Sequence, residues 1–243
     1  MALLEVQNLS KSFGGLTAIR DLSFSIDEGE IVGIIGPNGA GKTTCFNLIT
    51  GFTSPDTGSV LFQNRSITGK YPEEICRQGV FRTFQTAQSF PEMTVKENVL
   101  VAVMLHQSSL ALANKESHEL LEKMGMMEKQ GIKTKHLSVP EKKRLELIKG
   151  LATHPKLMLL DEVMAGLRPK EIDQSVQMIS QLRTGGITFV IIEHVMQLIM
   201  SISDRVIVLN HGEKIAEGAP REVANMATVV EAYLGKEICF AQD

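Results

Sequence analysis

A glycine-rich segment constrains this chain more than any other feature of its sequence. Residues Gly36 to Thr44 read Gly-Pro-Asn-Gly-Ala-Gly-Lys-Thr-Thr, which fits the pattern G-x-x-x-x-G-K-[ST] of a phosphate-binding loop. Ile31–Ile35 precedes it as a short apolar run typical of a buried strand, and residues 44–50 open a helix. We therefore predict an α/β fold in which this loop joins a strand to a helix whose N-terminus points at phosphates.

Each part of the loop has a chemical role toward a phosphate chain. The glycines allow successive backbone N–H groups to turn toward one anion, and Lys42 adds a positive charge near the β- and γ-phosphates. The hydroxyl of Thr43 is placed to ligate Mg²⁺. The residues predicted to bind the nucleotide are Gly36, Pro37, Asn38, Gly39, Ala40, Gly41, Lys42, Thr43 and Thr44.

Composition excludes several classes of protein. At 243 residues the chain fits one domain with room for an inserted subdomain, and its net charge of −3 predicts no strong attraction to nucleic acid. The longest apolar stretch, Val99–Leu105, is far shorter than a membrane span. Three widely spaced cysteines suit a reducing cytosol, and the six histidines show no metal-ligand spacing with one another or with cysteine.

Strand and helix patterns alternate along the chain, which is typical of an α/β sheet. The predicted strands are Leu3–Val6, Leu22–Ile26, Ile31–Ile35, Ser59–Phe62, Leu157–Leu160, Ile187–Ile192 and Val206–Leu209. The predicted helices include Ser117–Met127, Pro169–Leu182 and Val195–Ile202. The strand-rich start and the helical middle block predict a strand-rich N-terminal part, then a helical insertion between two strands of a parallel sheet.

A second acidic motif supplies what a phosphate loop still needs. Asp161 and Glu162 follow the apolar run Leu157–Leu160, so they emerge at the carboxyl end of a strand, where open α/β sheets bind ligands. Asp161 can hold Mg²⁺ directly or through water. Glu162 is placed to orient or deprotonate a water that attacks a γ-phosphate. A third strand ends in Glu193-His194 at the same edge, where His194 could donate a hydrogen bond to that phosphate.

The order of these residues resembles the ATP-binding cassette (ABC) family of transporter ATPases over nearly the whole chain. Phe13 matches the aromatic residue that stacks on adenine, and Gln85 in Arg-Thr-Phe-Gln matches the glutamine loop. Residues 137–141 occupy the position of the family signature, and residues 165–168 match a loop that contacts the other subunit. His194 matches the switch histidine.

The resemblance implies a fold, roles and partners. The fold would be a single ABC-type P-loop NTPase domain over residues 1–243, with an N-terminal antiparallel β subdomain. Its ATP-binding core would comprise residues 1–86 plus 155–243, and its helical subdomain residues 87–154. Glu162, His194 and Gln85 would be catalytic, and Gln85 would also contact Mg²⁺. Ser138 would bind the ATP of a second ATPase subunit in trans.

Within the family, the chain looks most like the ATPase subunits of branched-chain amino acid importers. The resemblance rests on residues 82–86, 92–98, 164–167 and 230–235. It implies import of branched-chain amino acids or related small polar solutes. The implied partners are a second ATPase subunit (itself or a sister), membrane permeases at the cytoplasmic face and, indirectly, a solute-binding protein, with no nucleic acid.

The signature segment departs from the family's usual Leu-Ser-Gly-Gly-Gln, because Val139, Pro140 and Glu141 replace its last three residues. Pro140 lacks an N–H, which removes one possible donor to phosphate. Ser138 and Glu141 nevertheless form the pattern of a capping box, so the helix start is sound. Two interpretations stay open: a neutral subfamily variant, or a weakened site that affects the partner's ATP. Residues 142–144 are interpreted as a solvated basic face.

Two other functions compete with the transporter ATPase. The first is a cytosolic ABC ATPase that acts on DNA or ribosomes. It would need a long coiled coil or two cassettes, and the chain shows neither sustained heptads nor a second phosphate loop. The second is a regulatory ATP-binding protein without turnover, which Glu162 and His194 argue against.

Overall fold

The elements follow the predicted alternation of strands and helices. The structure, a computed structural model, describes residues 2–86, 88–193 and 196–234, without the side chains of residues 196, 197 and 234. The strands within these ranges are β1 (Ala2–Phe13), β2 (Leu16–Asp27), β3 (Ile31–Ile35), β4 (Thr57–Phe62), β5 (Arg65–Ser66), β6 (Val80–Arg82), β7 (Leu157–Asp161), β8 (Thr188–Ile192), β9 (Arg205–Asn210) and β10 (Glu213–Gly218). The helices there are α1 (Lys42–Ile49), α2 (Pro72–Arg77), α3 (Val95–Val103), α4 (Leu110–Lys123), α5 (Val139–Leu151), α6 (Pro169–Thr184), α7 (Met196–Ile202), α8 (Pro220–Ala224) and α9 (Ala227–Leu234).

A six-stranded sheet in the order β10-β9-β3-β8-β7-β6 forms the centre of the fold. Strands β9, β3, β8, β7 and β6 are parallel, and β10 is antiparallel to β9. The register pairs Ile192 with both Ile34 and Asp161, so the carboxyl ends of β3, β7 and β8 meet at one edge. This register brings the predicted phosphate loop and the predicted acidic pair to the same place.

The central strands are buried on both faces, as their continuous apolar runs predict. Because side chains alternate across a strand, Ile31 and Ile35 of β3 join one core cluster while Val32 and Ile34 join the other. The first cluster packs against α3 to α7, and the second packs against α1 and the antiparallel strands. Each face of the sheet therefore has its own hydrophobic core.

The smaller sheet is antiparallel, with the order β2-β1-β4-β5. Its strands β1 and β2 are each twelve residues long, so the predicted strands Leu3–Val6 and Leu22–Ile26 are correct in place but too short. The extension carries Phe13, at the end of β1, toward the phosphate loop. The predicted α/β fold, with an antiparallel sheet before a parallel one, is confirmed.

Helices α3, α4 and α5 lie between β6 and β7 in the chain. The helix predicted over Ser117–Met127 is wrong at both ends, because α4 begins at Leu110 and ends at Lys123. Gly125 follows with φ +64°, a left-handed conformation that favours glycine and ends the helix. In the part of the chain that the structure describes, no helix has the length and apolar character needed to cross a lipid bilayer.

Candidate active site

A cavity of about 570 Å³ opens over the phosphate loop at the carboxyl edge of the parallel strands. Phe13 lies at its rim with half of its surface exposed (50%). Gln85 and Glu162 also line the cavity. The complete lining is Phe13, Leu16, Thr17, Ala18, Asn38, Gly39, Ala40, Gly41, Lys42, Thr43, Thr44, Gln85, Glu162 and His211.

The phosphate loop is closely packed against neighbouring backbone, which explains its glycines. A Cβ at Gly36 would lie 2.1 Å from the carbonyl oxygen of Leu209. A Cβ at Gly41 would lie 2.6 Å from the carbonyl oxygen of Ala18, and Gly41 has φ +102°. Glycine is therefore required at both positions.

Helix α1 begins at Gly41 without a capping side chain and without an acidic residue in its first turn. The first residue of the helix is Lys42, whose Nζ donates to the carbonyl oxygens of Gly36 (2.7 Å) and Pro37 (3.0 Å). Burial lowers the pKa of Lys42, while the nearby carboxylates of Glu162 and Asp161 act in the opposite direction. A helix N-terminus of this kind, with a lysine beside it, suits an anion.

Asp161, the residue before Glu162, is buried (3% exposed) and is not among the residues that line the cavity. Its Oδ2 accepts a hydrogen bond from Nη2 of Arg82 at 2.8 Å, and its backbone N–H donates to the Thr83 hydroxyl at 2.9 Å. Arg82 also donates to the side chain of Asn47. The guanidinium therefore compensates the charge of Asp161 and fixes one of its oxygens.

Glu162 differs from its neighbour because it faces the cavity. Its backbone has φ +53°, which is uncommon for a residue with a side chain. Its carboxylate accepts a hydrogen bond from Nε2 of Gln85 at 3.0 Å, and its backbone carbonyl accepts one from Nζ of Lys143 at 3.0 Å. The segment after β6 thus holds the carboxylate of Glu162, and helix α5 holds its backbone.

Lys143 also donates to the carbonyl oxygen of Ala165 at 2.5 Å. The interpretation of residues 142–144 as a solvated face is therefore wrong for Lys143, whose pKa is lowered by burial. On the other side of the same loop, Oε1 of the buried Glu193 accepts a hydrogen bond from the Met164 N–H at 2.7 Å. The loop after Glu162 is thus fixed from α5 and from the end of β8.

The segment before Gln85 is fixed by another carboxylate of α5. Glu146 is buried, and its Oε1 accepts a hydrogen bond from the Phe84 N–H at 3.0 Å. Burial raises the pKa of Glu146 to about 7, although the hydrogen bond from Phe84 partly opposes this shift. Glu146 therefore titrates near neutral pH, and the hydrogen bond that it accepts from Phe84 positions the neighbouring Gln85.

The N-terminus of α5 has the predicted capping box. The carboxylate of Glu141 accepts hydrogen bonds from both the backbone N–H and the hydroxyl of Ser138, each at 2.8 Å. Its Oε1 also lies 2.9 Å from Nζ of Lys129. The hydrogen bond from the Ser138 N–H, followed by Lys129, lowers the pKa of Glu141 to about 2. The hydroxyl predicted to bind ATP in trans therefore donates to a carboxylate of its own chain.

Most predicted site residues line the cavity. The described ones that do not are Gly36, Pro37, Asp161 and Ser138. His194 lies outside the described residues. Among the lining residues that the sequence motifs did not indicate is His211, in the turn between β9 and β10. The neighbouring Gly212 N–H donates to the Ala40 carbonyl at 3.0 Å, so this turn supports the phosphate loop.

The site also offers a donor set for a hard cation. Thr43, Gln85 and Glu162 line the cavity, and Asp161, the residue before Glu162, is buried. Hydroxyl, amide and carboxylate oxygens are the ligands that Mg²⁺ takes in proteins, together with water. These residues therefore fit the predicted Mg²⁺, with one oxygen of Asp161 already engaged by Arg82.

Sequence comparisons place this geometry among known proteins. Residues 19–165 match the family described as ABC transporter, and residues 213–238 match the family described as branched-chain amino acid ATP-binding cassette transporter. The high-affinity branched-chain amino acid transport ATP-binding protein LivG of Salmonella typhimurium is 40% identical, over 96% of this chain and 98% of LivG. BraF of Pseudomonas aeruginosa, of the same description, is 38% identical over 96% of this chain and 98% of BraF.

Solved structures agree with the sequence matches. A nucleotide-free ATP-binding cassette from an ABC transporter superposes with a TM-score of 0.89 at 34% identity, covering 97% of this chain and all of that one. A dimeric cassette in a post-hydrolysis state, bound to ADP and Pi, superposes with a TM-score of 0.81 at 26% identity. The superposition covers 90% of this chain and 99% of the other chain.

Proposed function

This chain belongs to the ABC transporter family as an ATP-binding cassette ATPase, and from that premise we propose that it powers the import of branched-chain amino acids or related small polar solutes. The observation that carries this proposal is the likeness to LivG over almost the full length of both chains. The match of residues 213–238 to the branched-chain amino acid cassette family supports the same substrate class. These relatives give no support to the alternative of action on DNA or ribosomes.

The proposed ATP position follows from the lining of the cavity. The triphosphate would lie along the phosphate loop, with its charge facing Lys42 and the N-terminus of α1. Adenine would stack on the exposed ring of Phe13, at the rim of the same cavity. Thr43, Gln85 and Asp161 would hold Mg²⁺, which would supply positive charge to the phosphates.

The proposed catalytic carboxylate is that of Glu162. In this position it would accept a proton from, and orient, the water that attacks the γ-phosphate. Gln85 holds the carboxylate from one side, and Lys143 fixes the backbone of Glu162. We assign His194 the role of a hydrogen-bond donor to the γ-phosphate, from the resemblance alone.

A second ATPase subunit, either a copy of this chain or a sister protein, would complete the site by presenting its signature helix. The helical subdomain proposed for residues 87–154 would transmit closure from the core of residues 1–86 plus 155–243 to membrane permeases. Those permeases would hold the chain at the cytoplasmic face of the membrane and receive solute from a binding protein.

Uptake by proteoliposomes tests the proposal. Vesicles that contain the permeases, the partner ATPase and ATP should take up labelled leucine in the presence of the binding protein. Glu162→Gln should abolish uptake, whereas the matched change Glu122→Gln at an exposed site on α4 should leave it intact. The proposal would be contradicted if the Glu162→Gln assembly took up leucine at the unmodified rate. It would also be contradicted if the unmodified assembly took up none of the branched-chain amino acids.

A further inference from the structure

Two histidines and a glutamate converge at a point outside the ATP site. Nε2 of His154 lies 2.7 Å from Oε1 of Glu116, and Nε2 of His106 lies 3.3 Å from the same carboxylate. The two imidazole rings are 3.8 Å apart between centroids. One ligand atom from each of the three side chains can be chosen so that all three lie within 4.8 Å of one another.

The fold, and not the sequence, creates this cluster. His106 follows α3, Glu116 lies ten residues later on α4, and His154 lies another thirty-eight residues along, just after α5. These separations resemble no metal-binding motif, in agreement with the absence of metal-ligand spacing in the sequence. His154 has φ +52°, a left-handed conformation in which its backbone turns out of α5.

The separations suit a tetrahedral metal ion. Imidazole nitrogens and carboxylate oxygens bind Zn²⁺ at about 2.0–2.2 Å, so tetrahedral ligands lie roughly 3.3 Å from one another. The His106 separation of 3.3 Å equals that spacing, and the His154 separation of 2.7 Å is shorter than it. Binding of an ion would therefore need His154 and Glu116 to move apart by about 0.6 Å.

The cluster is reachable from solvent. The side chains of His106, Glu116 and His154 are exposed by 30%, 23% and 62%. Glu116 and His154 also line a cavity of about 470 Å³, where Lys115 and Glu119 lie 3.8 Å apart as an ion pair. An ion could therefore enter, and water could complete its coordination.

We propose that His106, Glu116 and His154 form a binding site for a divalent transition-metal ion of the Zn²⁺ class, with water in the fourth position. Two imidazoles and one carboxylate are a recurrent ligand set for zinc. The ion would fasten α4 and the segment after α3 to the segment after α5, which continues into β7. This site is separate from the proposed transport function and does not depend on it.

Calorimetric titration of the full chain with Zn²⁺ tests the site, after accessible thiols are alkylated so that they do not bind the metal; Cys45 is fully buried and needs no such protection. We expect one site with a micromolar Kd. His154→Ala and Glu116→Gln should each weaken it by at least about tenfold. The matched control is His118→Ala, an exposed histidine on the same helix α4, which should leave the affinity unchanged.

Two further readouts separate ligation from loss of folding. Co²⁺ in place of Zn²⁺ should give tetrahedral d–d absorption without thiolate charge transfer, and His106→Gln should remove that absorption. Zn²⁺ should also raise the Tm of the unmodified chain and of His118→Ala, but not that of His154→Ala. Absence of micromolar Zn²⁺ binding, or equal weakening by the His118→Ala control, would overturn the proposal.

Discussion

Two helices of this protein begin in opposite ways. Helix α1 begins at Gly41 with no capping side chain, no acid in its first turn and Lys42 as its first residue. Helix α5 has Ser138 as its N-cap and Pro140 in its first turn, and the carboxylate of Glu141 accepts a hydrogen bond from the N–H of Ser138. The N-terminus of α1 therefore suits an external anion, whereas at the N-terminus of α5 the backbone N–H of Ser138 donates to the carboxylate of Glu141 in the same chain. Both helices have the dipole that favours an anion at the N-terminus, so the residues of the first turn decide which of the two N-termini suits phosphate.

The difference bears on the two interpretations of the signature segment. Besides the N–H that Pro140 lacks, the α5 terminus carries a carboxylate whose pKa of about 2 keeps it charged at neutral pH. In the proposed dimer this charge would face the partner's γ-phosphate, with Lys129 as its ion-pair partner in its own chain. A weakened partner site therefore predicts that removal of this charge raises the partner's turnover, whereas a neutral variant predicts no change.

The largest predicted effect concerns the second carboxylate of α5. Since the pKa of Glu146 is raised to about 7, the folded chain binds a proton there that the unfolded chain releases above its ordinary pKa of about 4.5. The free energy of unfolding should therefore fall as pH rises from about 5 to 7, by at most on the order of 3 kcal/mol. Glu146→Gln should remove this component, as measured by urea denaturation at several pH values. An identical pH dependence in the variant would contradict the assigned pKa.

The next prediction concerns the α1 terminus. Lys42→Met should weaken ATP binding by roughly 100-fold, because it removes the charge beside the phosphates. Equilibrium binding of a fluorescent ATP analogue measures the effect. Lys123→Met, at an exposed lysine of α4, is the control and should bind as the unmodified chain does. Equal affinity in Lys42→Met would show that the α1 terminus is not the anion site.

The interior of α5 should matter for turnover more than its N-terminus. Lys143→Met removes two hydrogen bonds to the loop after Glu162, so kcat for ATP should fall about tenfold while KM stays nearly unchanged. Lys142→Met, one residue earlier on the same helix, provides the matched control. Steady-state ATPase assays of the reconstituted dimer give both constants. A rise in KM without a fall in kcat would place Lys143 in binding instead.

The smallest predicted effect is a gain. Glu141→Gln should raise turnover at the partner's ATP by about two- to fivefold. The change removes a negative charge from the N-terminus of α5, where the partner's phosphate would bind. Replacement of Val139 and Pro140 by glycine should act in the same direction. Each variant is combined with a partner subunit whose own hydrolysis is measured in single turnover. Unchanged partner turnover in both variants would support the interpretation as a neutral variant.

The sequence predicted the parts of the site that are local. The phosphate loop and the pair Asp161-Glu162 were recognisable because each consists of adjacent residues at the end of an apolar strand. Gln85 was indicated only by family resemblance, because its contact with Glu162 joins residues 77 positions apart.

Contacts between distant residues could not be read from the pattern. Arg82 reaches Asp161 across 79 positions, and Lys143 reaches Glu162 from a helix that the charge pattern suggested was solvated. The cluster of His106, Glu116 and His154 is the extreme case, because its members lie on three different segments. Such sites depend on packing, which periodicity and spacing do not encode.

The most direct test of the ATPase site separates ATP binding from hydrolysis in the Glu162→Gln variant of the assembled dimer. Glu162 faces the cavity, whereas Lys42 and the loop that would bind ATP are untouched by this change. We expect ATP to bind with nearly unchanged affinity, hydrolysis to be lost, and an ATP-bound dimer to accumulate. ATP hydrolysis at the unmodified rate in this variant would contradict the role of Glu162 and, with it, the account of the site given above.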